Sequence, residues 1–475
     1  MTRYLILGNG AAGATAAEEI RQYDAHGQIT MVSAERHPMY SRPVRQYDAH
    51  GQITMVSAER HPMYSRPGLA YVIIDEIPEH QVIARTPEWY AHQHIQVEHG
   101  AAAKVEPALH RVRLVDGHSL PYDRLLIATG ARAVPLPYPG ANLDGVVYLD
   151  TLDGTKELLR KAKRAKRAVV VGGGITALEM TEGLAHHKLD THYFVRKDAL
   201  WSAVFNKTES ELLAGRMTGH GVKIHYNTEV AEVIGDKRGR VKGVKLTSGE
   251  FFPCDLVGAG IGVKPQLDCV RDTSIKVDRG ILVNEYLEAS EPDVYAAGDC
   301  AQIWDRWTKK HTMDVLWPTA IAAGHAAGIN MAGGREAYLK GTPFNACLLF
   351  GLHITAIGQL GGTRDETEPE IFQHVSRGSS EIFATRPHAY SSAWSQDGVN
   401  TVRLVLSGDR LAGALVVGEQ SLADPLRDLI EKQVDVRPLR PHLQEGGPAM
   451  AHAVMDYWKQ TQGQGAVSQP VPEAR

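Results

Sequence analysis

Cysteine is scarce in this chain. Only Cys254, Cys269, Cys300 and Cys347 occur in 475 residues, and no two are in CxxC spacing. A disulfide-stapled scaffold and a cysteine-built zinc site are therefore not indicated. Long apolar runs are also missing, since none approaches the ~20 residues that a membrane helix needs. Charge of one sign is not in excess: the net value of −4 gives no reason to expect nucleic acid as a partner. The chain enters a strand-like run at Tyr4-Leu5-Ile6-Leu7 with no basic or apolar leader ahead of it, which suggests a cytoplasmic protein. Histidine is plentiful, at 22 residues, yet the nearest groupings (His92 with His94, His186 with His187, and His37 or His61) lack a matching carboxylate or cysteine set. No metal site is expected from them.

What is present is an ordinary globular composition, 43% hydrophobic and 22% charged, over a length that implies two or three domains. The first informative stretch is YLILGNGAAGATAAEEI. A short apolar run leads into Gly8, Gly10 and Gly13 in GxGxxG order, and an alanine-rich helix start follows. Gly8 allows the tight turn, Gly10 lets backbone approach a pyrophosphate, and Gly13 lets helix and strand pack closely. The helix N-terminus then faces the anion. Such a unit needs a second strand ending in an acid about 20 residues on, to hold a ribose hydroxyl. ITMVSAE supplies it, ending at Glu35, 22 residues after Gly13.

That strand is written twice. RQYDAHGQITMVSAERHPMYSRP fills 21–43 and recurs unchanged at 45–67, with Val44 and Gly68 as the differing spacers. Two copies without drift do not make a solenoid. By spacing, Glu35 fits the ribose and Glu59 does not, while by downstream continuity the second copy is favoured, because its YSRP runs into Gly68-Leu69. One such unit needs only one strand of this kind. The expectation is a tandem duplication in which the first strand docks and one copy is displaced to the surface; an error in the sequence itself is the alternative. An insertion of this length costs little loop-closure entropy.

A second unit lies mid-chain. RAVVVGGGITALEM places Gly172, Gly174 and Ala177 in GxGxxA order after a β-branched strand. Two strand–glycine–helix units in one chain point to two dinucleotides. After the second helix, the strand in THYFVRKD ends in Val195, Arg196 and Lys197 where an NAD-type acid would stand. Arginine there can accept a 2′-phosphate, which leans toward NADP. Two more strands end in Ala128-Thr129-Gly130 and in Gly298-Asp299.

Taken together, these motifs resemble the two-dinucleotide flavoprotein reductases of the pyridine nucleotide–disulfide oxidoreductase superfamily. The branch they are most similar to contains ferredoxin and rubredoxin reductases and the flavin-binding part of nitrite reductases. The resemblance covers roughly 1–435 and implies FAD in the first unit and NAD(P)H in the second. It implies that Asp299 bonds the flavin's ribityl chain and that Thr129 and Gly130 lie beside the cofactor. GAGIGVKP, with Gly260, would close the nucleotide domain. The helix WPTAIAAGHAAGINMAG, with Thr319 near its start, would point its N-terminus at the flavin ring, where its dipole favours negative charge. MYSRPGL would bring Arg66 and Pro67 to the flavin. The branch often follows that leucine with Ser-Lys, the lysine pairing with the glutamate at Glu179; here Ala70-Tyr71 stand instead. No cysteine precedes Cys254, so the thiolate chemistry of a disulfide reductase is not expected.

The fold expected is α/β: two Rossmann-like dinucleotide-binding domains plus a smaller α+β C-terminal domain. An FAD domain spans 1–150 and 271–335, an NAD(P)H domain 151–270, an interface domain 336–460 and a disordered tail 461–475. Residues 104–115 and 119–127 read as a β-meander and 153–168 as a basic helix with a solvated face. The function implied is an FAD-dependent NAD(P)H oxidoreductase without a catalytic protein acid, base or nucleophile. It would serve a small ferredoxin- or rubredoxin-type carrier, with the C-terminal domain packing against the other two or forming a homodimer interface. The alternatives are a flavin-bound sensor or scaffold, and a nitrite reductase-type flavin subunit.

Overall fold

The computed structural model describes residues 2–24, 28–32, 53–56, 61–98, 100–305, 309–360, 401–407, 409–445 and 447–463. These divide into two compact units, one running to Lys340 and the other beginning at Gly341.

The first unit starts with strand β1 (Arg3–Leu7), whose Tyr4 to Leu7 are all buried. A run with no polar alternation suits a strand covered on both faces, as in a parallel sheet. Helix α1 (Ala11–Tyr23) follows, and then β2 (Gln28–Val32), β3 (Ile53–Val56) and β4 (Ile95–Glu98). With the strands Arg124–Ile127 and Val294–Ala296 they form one six-stranded parallel sheet, in the order 294–296, 124–127, β1, β2, β3, β4.

The duplication departs from expectation here. The strand of the first copy docks against β1, but the strand of the second is not displaced. It lies in the same sheet, and the two identical strands pair in register, Thr30 with Thr54, Met31 with Met55 and Val32 with Val56. The second then pairs onward with β4, Ile53 opposite Ile95. A parallel partner needs a crossover of a dozen or more residues, and 33–52 is long enough. Docking satisfies ladder groups that surface exposure would leave to water.

The helix Trp317–Met331 lies along α1. Its contact face is made of small residues: a Cβ on Gly324 would stand 2.4 Å from the Ala12 carbonyl oxygen, and one on Gly328 would stand 2.7 Å from that of Ala16. Glycine is required for the backbones to approach this closely. Strand Arg124–Ile127, expected in the meander, belongs to the parallel sheet instead, because Leu125, Leu126 and Ile127 are fully buried beside β1. The meander is Ala102–Glu106, Arg111–Leu114 and Ser119–Pro121.

A second parallel sheet runs in the order Val146–Val147, Leu256–Ala259, Arg167–Val171, Asp190–Phe194, Lys223–His225. The basic helix is shorter than expected. It covers Leu152–Ala162, capped by Thr151, whose hydroxyl accepts from Gly154 N at 3.0 Å, and Arg167 already starts a strand. Several of its cations are engaged within the chain, Lys156 by Glu79 and Lys161 by Asp144, both at 2.7 Å. Strands Ala131–Ala133 and Val263–Pro265 pair antiparallel and join the two nucleotide-type halves.

The second unit holds a four-stranded antiparallel sheet in the order Phe344–Leu349, Leu352–Gly358, Arg410–Val417, Thr401–Ser407. Helix Ala423–Glu431 buries Leu426, Leu429 and Ile430 in the same apolar cluster as sheet residues Ile357, Ala414 and Val416. The last helix runs to Gly463, and the remainder of the expected tail, 464–475, lies outside the described residues.

Candidate functional site

The first cleft, of about 510 Å³, opens where β1 meets α1. Gly8 makes the turn with φ +121°, and a Cβ there would fall 2.0 Å from the Ala128 carbonyl oxygen. Only glycine fits. Gly10 caps α1 without a side-chain bond, and a Cβ on it would meet nothing within 4 Å. That open space lies over the unsatisfied N–H groups of the first helical turn, which suits a phosphate. Gly13 is buried inside the α1 packing, away from the cleft wall. Glu35 and Glu59 lie outside the described residues.

Thr129 and Gly130 stand on the wall, Gly130 at φ +68° with empty space where a side chain would be. The Thr129 hydroxyl donates to Gln266 O at 2.7 Å, and Gln266 Nε2 returns a bond to Thr129 O at 3.0 Å. The crossing between the halves is pinned at the cleft itself.

Asp299 sits in a short 3-10 turn, Gly298–Cys300, on the same wall. Burial pushes its carboxyl up to about 6; the Arg66 guanidinium pulls against that, while Asp150 and Asp314 add to it. Arg66 and Pro67 are on the wall too, carried there by the second copy of the repeat. The Arg66 guanidinium bonds the Asp150 carbonyl and lies 3.5 Å from its carboxylate, whose other oxygen accepts from Ala133 N at 3.0 Å. Met63 N donates to the Tyr90 hydroxyl at 2.9 Å, and that hydroxyl donates to Asn9 Oδ1 at 3.0 Å, tying this loop to the glycine turn.

Thr319 is not on the wall; its hydroxyl faces Asp314 Oδ2 at 3.4 Å, and Trp317 and Ala320 of the same helix line the cleft in its place. Cys269, which no sequence motif assigns to the site, also lines it; burial pushes its thiol up to about 12, so it is a thiol and not a thiolate at neutral pH. Cys300 is fully buried with its Sγ against the Ile127 and Ala297 carbonyls, at 3.3 and 3.4 Å.

The second cleft, of about 670 Å³, repeats the design. Gly172 turns at φ +148°, and a Cβ on it would fall 2.2 Å from Gly260 O. One on Gly260 would fall 2.8 Å from Ala177. These three residues interlock the two strand ends with the helix Ile175–His186, and Gly174 again faces open space. Glu179 is buried in that helix, away from the cleft wall. Arg196 is on the wall and 77% exposed, with Nη1 3.7 Å from Glu229 Oε1.

Two glycine-built cradles, each at the carboxyl end of a parallel sheet and bridged by a β crossing, define the class: a scaffold for two dinucleotides. The sequence profile of the pyridine nucleotide-disulphide oxidoreductases matches residues 2–324. The chain is 25% identical over 461 residues to the nitrite reductase [NAD(P)H] of Bacillus subtilis, covering 95% of this chain and 51% of that protein. It is 32% identical over 299 residues to the rhodocoxin reductase of Rhodococcus erythropolis, covering 62% of this chain and 64% of that one. The chain thus spans about half and about two thirds of these relatives. The fold matches a ferredoxin reductase from Rhodopseudomonas palustris with a TM-score of 0.75 at 22% identity, over 92% of this chain and 96% of that one.

The chain belongs to the pyridine nucleotide-disulphide oxidoreductase family. The relatives it matches carry the names of reductases and dehydrogenases, two of them named as using NADH or NAD(P)H. Among the described residues no helix is long and apolar enough to cross a membrane.

Proposed function

We propose that this chain takes hydride from NAD(P)H and passes the electrons to a small iron–sulfur carrier of the ferredoxin or rubredoxin type. One observation carries the reading. Two open glycine cradles share one crossing, and no cysteine stands before Cys254 to interpose a thiol relay. Bound FAD would accept two electrons as hydride and release them singly, which suits an iron–sulfur acceptor.

The chain's own residues position and screen that exchange. The first turn of α1 would receive the pyrophosphate in the space above Gly10. Asp299 would accept hydrogen bonds from the flavin's ribityl hydroxyls, and Arg66 favours its ionised form. The N-terminus of Trp317–Met331, uncapped by any side chain, favours negative charge on the ring system. Trp317, at the start of the same helix, lines the cleft beside it. Residues 1–150 with 271–335 then serve as the FAD domain, 151–270 as the NAD(P)H domain and 336–460 as an interface domain through which the chain pairs into a homodimer.

The test is the purified protein. Flavin absorbance, rapid bleaching by NAD(P)H, and cytochrome c reduction only when a carrier is added support the reading. A yellow protein reduced slowly, without turnover of any one-electron acceptor, would make it a sensor. The 95% coverage of this chain by half of a nitrite reductase favours a second reading, the flavin part of a larger assembly. Association with a separate nitrite-reducing subunit would establish it.

A further inference from the structure

The second cleft contains an acid that the sequence pattern does not announce. Arg196 and Lys197 follow the strand Asp190–Phe194, where a dinucleotide's adenosine ribose is held in this kind of unit. Read alone, that pair of cations favours a 2′-phosphate. Glu229 belongs to a different connection, 33 positions on, and the sheet brings it to the same wall.

The placement is set by backbone. Val195 N donates to His225 O at 2.9 Å and Thr228 N to Val195 O at 3.0 Å, so the two connections after neighbouring strands are laced together. Asn227 N adds a bond to Lys197 O at 3.3 Å, and Asn227 takes φ +51° to make the turn. Thr247 N then holds Glu229 O at 2.9 Å from the other side. Glu229 is half-exposed, and its carboxylate lies 3.7 Å from Arg196 Nη1. At that distance and exposure the pair contributes little to stability. Its consequence is for whatever enters between them.

We infer that Glu229 is the specificity-determining residue of the nucleotide cleft, receiving the ribose diol of NADH and opposing the 2′-phosphate that Arg196 attracts. A ribose 2′-hydroxyl can donate to the carboxylate and leave the Arg196 contact in place. A 2′-phosphate would carry nearly two negative charges against Glu229 and must take the guanidinium from it. The preference is therefore a balance between Glu229 and the cations Arg196 and Lys197 and tilts to NADH, whereas the cations alone would tilt it to NADPH. This rests on the second cleft being the NAD(P)H site.

The test uses the flavin-loaded protein with adenosine 2′,5′-bisphosphate and AMP as probes, titrated by calorimetry at one fixed ionic strength, because exposed charges are screened by salt. Glu229→Gln should raise the affinity for the bisphosphate relative to AMP by about tenfold, the size of one charge-assisted contact. Arg196→Gln should lower the same ratio by about tenfold. The kcat/KM ratio of NADPH to NADH should move in the same directions. A merely structural role for Glu229 would weaken both probes together and leave the ratio where it was. A ratio within about twofold of wild type in Glu229→Gln, with AMP still bound, overturns the inference alone. Failure of the wild-type protein to bind either probe overturns the reading of the cleft, and the inference with it.

Discussion

Replacing Lys340 by methionine should be among the most damaging single changes outside the clefts. Its ammonium lies 3.0 Å from Asp305 Oδ2, 2.9 Å from Thr312 Oγ1 and 3.8 Å from Asp314 Oδ2. The side chains of lysine and both aspartates are only 4%, 6% and 6% exposed. Methionine keeps the apolar stem and removes the charge. Two buried carboxylates then lose the cation they share, and breaking a buried pair in this way costs about 3–5 kcal/mol. Burial already holds the Asp314 carboxyl above its ordinary value, with Lys340 pulling it back. A carboxyl raised in the folded state destabilises above its folded pKa, and the penalty lifts as pH falls through it. The deficit of Lys340→Met should therefore narrow on acidification. Urea unfolding at fixed excess FAD, followed by tryptophan fluorescence and circular dichroism together, measures it and tests for a single transition. A loss below about 1 kcal/mol at pH 7.5 would show that the site is not the desolvated pair described. A deficit that widens on acidification would refute the charge argument.

Asp299→Ala should loosen FAD by about 1.5–3 kcal/mol, roughly 10–150-fold in Kd, read from flavin retained on dialysis. Because ribityl hydroxyls need the ionised carboxylate, wild-type retention should fall as pH drops through about 6, and Asp299→Asn should flatten that dependence. Gly8→Ala forces a Cβ to 2.0 Å from the Ala128 carbonyl at φ +121° and should cost about 2–6 kcal/mol, seen as a lowered midpoint in urea or as insoluble protein. Deleting 44–67 should leave a yellow protein at least as stable, with a five-stranded first sheet; β2 would then meet β4, and the first MYSRP would take the place of the second. Loss of flavin on deletion would show that the second copy has a function of its own.

The glycine triplets were legible because their requirement is local. Gly8, Gly10, Gly172 and Gly174 each answer to a turn and a helix start within a few residues, so spacing alone locates both cradles. Scarce cysteine, with none before Cys254, likewise decided the chemistry that is absent from the first half. The tertiary structure decided what depends on strands distant in sequence. Whether 124–127 extended a meander or joined the core sheet turned on its apolar residues finding β1. Which copy of ITMV docks was undecidable from two identical strings; both dock, because a twisted parallel sheet accepts another strand wherever the crossover is long enough. Thr319 sat at the expected helix start, but the helix's rotation against α1 turned its hydroxyl to Asp314 and presented Trp317 instead. Glu229 had no motif at all. Backbone bonds between two neighbouring strand ends bring it to Arg196, and no pattern along one strand records what the next strand's loop will carry.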